Sequence, residues 1–351
     1  MKKELLIASA LVSTLGAASV AQAVTATMAG SMKIGAEFDS PDSGVDTNSV
    51  IDLSNFNISL SETTDAGTTI SSSFEIVDEG DVDADDDNAL KLTFTDGSAL
   101  ELLNAGNASA THDISVPGSA GEEGVAGTST NNAPTDLDFA AGTTVLGVEW
   151  HSAADFMADG LKVSASFSTD SGAAKTATAR LDSAWGLGAT YVTSAGDTAL
   201  TIGAGVSGSD VTTNLTTQSS ADQEGYHVGV SAVTGDLTVA VGYADGDTFT
   251  NQTGTGANQS IQGSVVKAGI KYVTGDLTLQ LGTTSGTGKD RAFGGALGAD
   301  DAHDEVDGSV TYAVASGVSA VLGYTSVDIQ DEGANSNTGG SAWYIGATMS
   351  F

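Results

Sequence analysis

The chain has 351 residues, no cysteine and a formal net charge of −34 at pH 7. The lack of cysteine excludes a disulfide scaffold, and the negative charge argues against nucleic acid or an anionic membrane surface as a partner. Apolar residues make up 40% of the chain. Because these residues are regularly spaced, the acidic composition does not indicate disorder.

The first 23 residues have the features of an export signal. Two lysines precede the apolar run Leu5–Val20, and Ala21-Gln22-Ala23 forms an A-x-A cleavage site. The run is too short for a membrane-spanning helix, which needs about 20 apolar residues. We therefore predict a signal peptide over 1–23 and one β-domain over 24–351.

Sixteen segments of this domain alternate apolar and polar residues with the period of two that is typical of β-strands. An even number of antiparallel strands can close into a barrel with both ends on the same side. The predicted strands are 24–38, 49–62, 66–77, 88–96, 98–104, 142–151, 158–169, 180–193, 198–207, 224–234, 236–246, 262–274, 276–285, 304–314, 318–328 and 341–351.

The connections between these strands alternate between short and long. In an up-and-down arrangement, all long connections would then lie at one rim and all short ones at the other. This is the layout of outer-membrane barrels, with short periplasmic turns and long external loops. The long connections are 39–48, 78–87, 105–141, 170–179, 208–223, 247–261, 286–303 and 329–340.

The two faces of the strands differ in a way that fits a lipid environment. In Ser341–Phe351, Trp343, Phe351 and the alternate residues between them share one apolar face. The basic residues in predicted strands all fall on the polar face, and a charge on the lipid side would cost about 2–4 kcal/mol at mid-membrane. A soluble barrel of this size would enclose a lumen too wide to fill. We expect the apolar face to meet lipid and the polar face to line water. The basic residues are Lys33, Lys91, Lys162, Arg180, Lys267 and Lys271.

The acidic connection 78–87 is a weak candidate for calcium binding. Asp81, Asp83 and Asp85 have the spacing of the first ligands in a calcium loop. However, Asp86 stands where that loop needs glycine, and Leu92 stands where it needs a bidentate glutamate. The alternative is a solvated acidic loop that only screens divalent cations. No other metal or cofactor is expected, because the histidines are dispersed and cysteine is absent.

The longest connection, 105–141, is acidic and contains no lysine or arginine. If it folds into the barrel, its carboxylates would face wall lysines across a constriction; the alternative is an external loop. The candidate constriction residues are Asp113, Glu122, Glu123 and Asp136 on the loop, with Lys33, Lys91 and Lys162 on the wall.

Together these features resemble the general bacterial outer-membrane porins, in particular the short-turn, acidic porins of alphaproteobacteria. The resemblance covers the whole mature chain and rests on the export signal, the opening strand Val24–Phe38, the sorted connections, the long third loop and the terminal aromatic strand. The C-terminal phenylalanine resembles the signal by which the outer-membrane assembly machinery recognises barrels. The loop lacks an aromatic-glycine packing motif, and the wall lacks an arginine cluster.

The resemblance implies a 16-stranded antiparallel transmembrane β-barrel in the outer membrane, with an inward-folded third loop. It implies a homotrimer of water-filled channels for small hydrophilic solutes and ions, in contact with outer-membrane lipid. From the net charge we predict mild cation preference. The main alternative is a secreted or surface-layer calcium-binding β-protein, although the short repeats typical of such proteins are missing. A barrel enzyme would need a serine, histidine and orienting partner on its outer wall, and His151 and His227 are predicted to face the lumen.

Overall fold

A computed structural model describes residues 24–42, 44–77, 90–103, 107–119, 133–139, 146–169, 180–214, 219–250, 259–292, 297–330 and 338–351. The predicted signal peptide and the calcium candidates Asp81, Asp83 and Asp85 lie outside these ranges, so both remain predictions.

The described residues form one closed barrel of sixteen antiparallel strands, in which each strand pairs with its neighbours in sequence and the last pairs with the first. This confirms the predicted fold class. The strands are β1 (Thr25–Pro41), β2 (Thr47–Thr63), β3 (Thr69–Val77), β4 (Leu90–Thr93), β5 (Ala99–Leu102), β6 (Leu146–His151), β7 (Leu161–Thr169), β8 (Arg180–Ala195), β9 (Thr198–Asn214), β10 (Ser219–Thr234), β11 (Leu237–Thr250), β12 (Gln259–Thr274), β13 (Leu277–Ala292), β14 (Leu297–Ala315), β15 (Val318–Gln330) and β16 (Thr338–Ser350).

The barrel closes along the seam between β1 and β16. Gly30 and Phe351 exchange two backbone hydrogen bonds of 3.1 Å, so the pairing continues to the final residue. On the lumen side, the fully buried ring of Tyr344 covers Gly35 and Gly346. The Tyr344 hydroxyl donates a hydrogen bond to the Ile34 carbonyl at 3.3 Å. The seam therefore has both a complete backbone ladder and an aromatic cover.

Accessibility alternates along the strands as the sequence predicts. On β13, Leu279 and Leu281 point outward and are exposed, whereas the inward-facing Gly282 and Thr284 are buried. The outer face of this part of the wall is therefore apolar, and its inner face is covered from within. Within the described ranges, no helix is long and apolar enough to cross a membrane.

Several strands are longer than predicted. Much of 208–223, 247–261, 286–303 and 329–340, expected as loops, continues the strands. The pairing of Asp210 with Asp222 shows why the sequence hides these extensions. Near the rim, both faces carry polar residues, so the backbone ladder continues after the apolar–polar alternation has ended. In contrast, β4 and β5 have only four residues each and are shorter than the predicted 88–96 and 98–104.

The predicted short turns at Gly235, Gly275 and Gly317 are confirmed as tight hairpins, whereas the connection from β6 to β7, 152–160, is longer than predicted. Gly235, Gly275 and Gly317 each follow the last residue of a strand by one or two positions and have φ of +56°, +58° and +73°. These values lie in the left-handed region that glycine adopts without steric cost. Such turns hold neighbouring strands in register at the rim opposite the long loops.

Candidate functional site

The lumen contains a segment of the chain that the barrel surrounds. The connection between β5 and β6, which we call the third loop, runs from 103 to 145. After Leu103, its described parts are a first inner segment, 107–119, and a second inner segment, 133–139. Ala108, His112 and Leu137 in these segments are buried. The predicted inward folding of the third loop is confirmed for these residues.

The first inner segment begins on the inner faces of β6 and β7. The backbone N–H of Asn107 and the hydroxyl of Thr111 both donate to the carboxylate of Glu149, at 3.2 and 2.8 Å. The N–H of Ala108 donates to Ser166 Oγ at 2.9 Å. Glu149 is almost fully buried, and its two oxygens satisfy donors that the loop backbone and side chain would otherwise leave unpaired.

Two histidines connect the same segment to β7, β8 and β10. His112, in the 3₁₀ turn Ala110–His112, places Nδ1 2.7 Å from Thr190 Oγ1 and Nε2 2.9 Å from Ser164 Oγ. His227 of β10 places Nδ1 2.8 Å from Asp113 Oδ1 and donates from Nε2 to the Ser109 carbonyl at 2.8 Å. These side chains come from distant parts of the sequence, so their meeting depends on the closed barrel.

Glycines on the inner wall provide the space in which the loop lies. A Cβ atom added at Gly188 would overlap the ring of His112, and one added at Gly269 would overlap the carbonyl of Pro117. The loop backbone can approach the wall this closely only because these side chains are absent. We call the inner-face glycines that crowd the loop in this way the glycine track: Gly188, Gly203, Gly205, Gly229, Gly242, Gly263, Gly269, Gly282 and Gly286.

The second inner segment follows β11, β12 and β13. Leu137 packs with Ala244 and Val265 in a small apolar cluster inside the barrel. Lys267 Nζ lies 3.2 Å from Asp136 Oδ1. Further along the first segment, Ser309 of β14 donates to the Gly118 carbonyl at 3.0 Å. The third loop is therefore fixed to the wall from β6 to β14.

The opposite side of the lumen remains accessible. On β2, the inward-facing Leu53 and Asn55 are exposed, in contrast to the buried inner face of β13. This wall presents the amide of Asn55 and, two residues further along β2, that of Asn57, whose Oδ1 accepts a hydrogen bond from Ser59 at 3.1 Å. The open passage therefore lies between the docked loop and a polar wall that includes β2.

The structure places the predicted loop carboxylates as follows. Asp113 pairs with His227 on β10, and Asp136 pairs with Lys267 on β12. Both acids thus contact the wall that carries the loop. Glu122 and Glu123 lie outside the described residues. The role of these four acids at a constriction remains a prediction.

The predicted wall lysines all lie on the inner face, as expected. Lys91 of β4 forms a 2.5 Å ion pair with Glu101 of the neighbouring strand. Lys162 pairs in register with Thr190, next to His112, and Lys33 pairs with Leu53 on the accessible side. Lys33 is thus the one of the three that shares a wall with the accessible residues of β2, and the part each plays in the constriction remains a prediction.

Sequence reasoning missed the histidine cluster, and it placed Lys267 on the polar face without including it among the constriction candidates. The notion that the histidines are dispersed is wrong in space, because His112, His151 and His227 gather around the first inner segment. His151 Nδ1 lies 2.9 Å from Ser164 Oγ, which also contacts His112. The sequence contains only a weak indication of this cluster, because His151 and His227 stand singly at inward positions of separate strands and His112 lies on the loop. No group of three or more metal-binding side chains occurs among the described residues.

The electrostatics of the loop reflect its burial. Burial lowers the pKa of His112 to about 4, and the positive charges of His151, His227 and Lys162 act in the same direction. Burial also raises the pKa of Asp138, with the charges of Asp113 and Asp136 adding to the effect. His112 is therefore neutral near pH 7, which suits its position between two hydroxyl groups.

Ser164, His151 and Glu101 form a chain that resembles a catalytic triad in composition. His151 Nε2 lies 3.4 Å from Glu101 Oε1, which is long for a hydrogen bond. Ser164 is 5% exposed and is covered by His112, so its hydroxyl has no access to a substrate. A nucleophile must reach the reacting atom, and this serine serves instead as an anchor for the loop.

The barrel and its internal loop define an outer-membrane channel whose apolar exterior meets lipid and whose lumen is narrowed by a folded segment. The family model of the Gram-negative porins matches residues 8–351. The chain therefore belongs to the Gram-negative porin family, whose members are multi-pass β-barrels of the outer membrane. None of the curated proteins that we searched is a significant match.

Solved structures show the same fold. OmpT of Vibrio cholerae, in its trimer form, has 15% identity and a TM-score of 0.63, covering 94% of this chain and 100% of that one. An anion-selective porin from Comamonas acidovorans has 12% identity and a TM-score of 0.65, covering 93% and 100%. OmpF of Salmonella typhi, in complex with daunomycin, has 14% identity and a TM-score of 0.61, covering 93% and 98%. At these identities the likeness concerns the fold.

Proposed function

We propose that this porin is a passive diffusion channel for small hydrophilic solutes and ions, with a mild preference for cations. The observation that carries the proposal is the one-sided docking of the third loop, which narrows the lumen and leaves accessible the wall of β2 that carries the polar Asn55. Such a passage selects by size and by the charges along it.

The cation preference follows from the excess of carboxylates. The chain has 45 acidic and 11 basic residues, and an acidic surface raises the local concentration of cations. On the inner wall, Lys91 and Lys267 each have a carboxylate within 3.2 Å, which offsets their charge. Inner-face carboxylates such as Glu305 add negative charge on β14. The anion-selective relative from Comamonas acidovorans shows that this fold also supports the opposite preference.

We also propose that the chain assembles as a homotrimer. OmpT of Vibrio cholerae has been described in a trimer form with this fold. Light scattering from the detergent-solubilised protein, corrected for bound detergent, measures the mass of the protein component. A mass of one chain under conditions that preserve conductance would contradict this part of the proposal.

Single-channel recording in a planar bilayer tests the central proposal. Potassium chloride is the suitable salt, because its two ions have similar mobilities and the reversal potential then reports on the protein. We expect ohmic current steps. Under a salt gradient, the sign of the reversal potential should show that potassium is more permeable than chloride. A reversal potential of the opposite sign, which means that chloride is more permeable, would overturn the cation preference alone. The absence of steps from protein shown to be folded and inserted would overturn the channel.

The calcium-binding alternative can be tested with the same preparation. It predicts saturable calcium binding that depends on Asp81, Asp83 and Asp85, together with a stable water-soluble form. A requirement for detergent to keep the protein in solution, without saturable calcium binding, would exclude it.

A further inference from the structure

A recess opens under the third loop, in the half of the barrel that carries the short turns. It has a volume of about 510 Å³ and lies between residues of the first inner segment and the inner faces of β10 to β13. This volume is within the range of small-molecule sites, about 300–1,000 Å³. Ser115 and Ser119 border it from the loop, while Ser231, Thr238, Lys271 and Gln280 border it from the wall.

The charge in this recess is the opposite of that of the chain. Its lining includes one lysine, Lys271, and no aspartate or glutamate, although acidic residues outnumber basic ones about fourfold in the sequence. Lys267, four residues earlier on the same face, is paired with Asp136. Lys271 has no ion pair with any described residue, and it is only partly exposed. Its ammonium group is the donor in the recess for a negatively charged group.

The groups beside Lys271 are suited to hydroxyls. Lys271 pairs in register with Thr238 on one side and Gln280 on the other, so their side chains are direct cross-strand neighbours. Gln280 donates from Nε2 to Ser309 Oγ at 3.2 Å, which leaves its Oε1 as an acceptor. The serine and threonine hydroxyls can both donate and accept. The recess thus combines one cation with several neutral hydrogen-bonding groups.

The loop that forms the upper boundary of the recess is held in place. Ser309 donates to the Gly118 carbonyl, and Gln280 in turn donates to Ser309. The Pro117 carbonyl lies against Gly269 and Gly282, where an added Cβ atom would overlap it. The same chain of contacts therefore orients Gln280 and positions the loop. A preformed recess requires little ordering when a ligand binds, which favours affinity.

From these observations we infer that the recess is a binding subsite for small hydroxylated carboxylates, the class that includes hydroxy acids and sugar acids. The carboxylate pairs with Lys271, while its hydroxyl groups bond to Gln280 Oε1 and to the surrounding serine and threonine hydroxyls. The inference rests on the proposed channel for its route of access. It adds that an otherwise acidic pore retains one class of anion on the way through.

The test uses gluconate as the probe, glucose as the neutral polyhydroxylated control and acetate as the carboxylate without hydroxyls. Each is added to the wild-type channel in a planar bilayer, and the reduction of current and the excess noise are measured against concentration. We expect saturable reduction by gluconate, a weaker effect of acetate and little effect of glucose. Isothermal titration with the detergent-solubilised protein measures the same affinity without requiring conduction.

Lys271→Gln is the informative variant, because it removes the charge and keeps a polar side chain. The half-saturating gluconate concentration should rise about tenfold, the size expected for one charge-assisted hydrogen bond. Lys289→Gln is the matched control, since Lys289 lies on the outer face and is exposed. It should leave gluconate binding unchanged.

The outcomes separate the subsite from the channel. If conductance is normal but gluconate binding is absent, or equal in Lys271→Gln and wild type, the subsite is overturned and the channel stands. If glucose acts as strongly as gluconate, the assigned ligand class is wrong. If the protein does not conduct but binds gluconate in a Lys271-dependent way by calorimetry, the subsite stands and the channel proposal fails.

Discussion

His112 Nδ1 lies 2.7 Å from Thr190 Oγ1, which places an imidazole from the third loop in hydrogen-bond contact with the inner face of β8. The ring is buried beside Ser164, and its pKa is lowered to about 4 by burial and by the neighbouring positive charges. The position of the loop is therefore linked to the protonation state of the His112 imidazole.

The pH dependence of loop docking follows from that pKa. His112 titrates near 6.5 when the loop is released and near 4 when it is docked, so the released state binds more protons between these values. Above pH 6.5, neutral His112 makes its full contribution to the free energy of loop docking. As the pH falls to about 4, this free energy decreases by on the order of 2–3 kcal/mol. We expect conductance to become larger or less stable over this window.

His112→Gln provides the control for this effect. Its amide can bond to both hydroxyl partners but does not ionise, and the other ionisable groups of the lumen are present in both variant and wild type. The difference between the two conductance–pH curves therefore isolates His112. Superimposable curves would show that this histidine does not control docking.

The glycine track can be tested at Gly269, where the Pro117 carbonyl contacts the wall. In Gly269→Ala, the added methyl group must displace the loop, at a cost of about 1–3 kcal/mol for overpacking. We expect the barrel to fold normally and the single-channel conductance to change. In the control Gly308→Ala, the methyl group has only ordinary contacts near 3.7 Å. Equal conductance in both variants and wild type would contradict a close-packed loop.

The Asp136–Lys267 pair offers a test of selectivity. Asp136 is 69% exposed on its side chain, so breaking the pair should change the stability by less than about 1 kcal/mol. Under a potassium chloride gradient, Asp136→Asn should shift the reversal potential in the direction of lower potassium permeability relative to chloride. Lys267→Gln should move it the opposite way. Shifts of the same sign in both variants would indicate that displacement of the loop, rather than charge, dominates.

The orientation of the two faces predicts opposite responses to a new lysine. Val241 faces outward and is 43% exposed, so Val241→Lys should cost about 2–4 kcal/mol if it meets lipid. Asn55→Lys places the same side chain in the water-filled lumen and should be tolerated. Urea-induced unfolding in lipid vesicles measures both. An equal loss of stability would mean that the two faces have been assigned to the wrong environments.

Tyr344 is the test of the barrel seam. Tyr344→Ala removes the ring that covers Gly35 and Gly346 and should lower the free energy of unfolding by about 3–5 kcal/mol. Tyr344→Phe keeps the ring but removes the hydroxyl and its 3.3 Å hydrogen bond to the Ile34 carbonyl, and it should cost about 0.5–1.5 kcal/mol. Similar losses in the two variants would place the contribution in the hydroxyl group instead of the ring.

The sequence predicted the barrel because lipid and water impose opposite requirements on alternate residues. The terminal run from Trp343 to Phe351 shows this rule clearly. Where a strand rises above the lipid, as around Asp210 and Asp222, the rule no longer applies and the strand extensions were missed. The contact between His227 and Asp113 could not be predicted, because it depends on the diameter of the barrel and the path of the loop through it.

The glycine track has a consequence for how such a channel can diversify. The third loop is seated against the wall largely by missing side chains, so a single glycine-to-alanine change anywhere along the track would push the loop further into the lumen. The effective bore could thus be altered in steps of one methyl group without any change in strand number, register or outer surface. A family of channels with different cut-off sizes could arise from one barrel through substitutions at positions that never contact the solute.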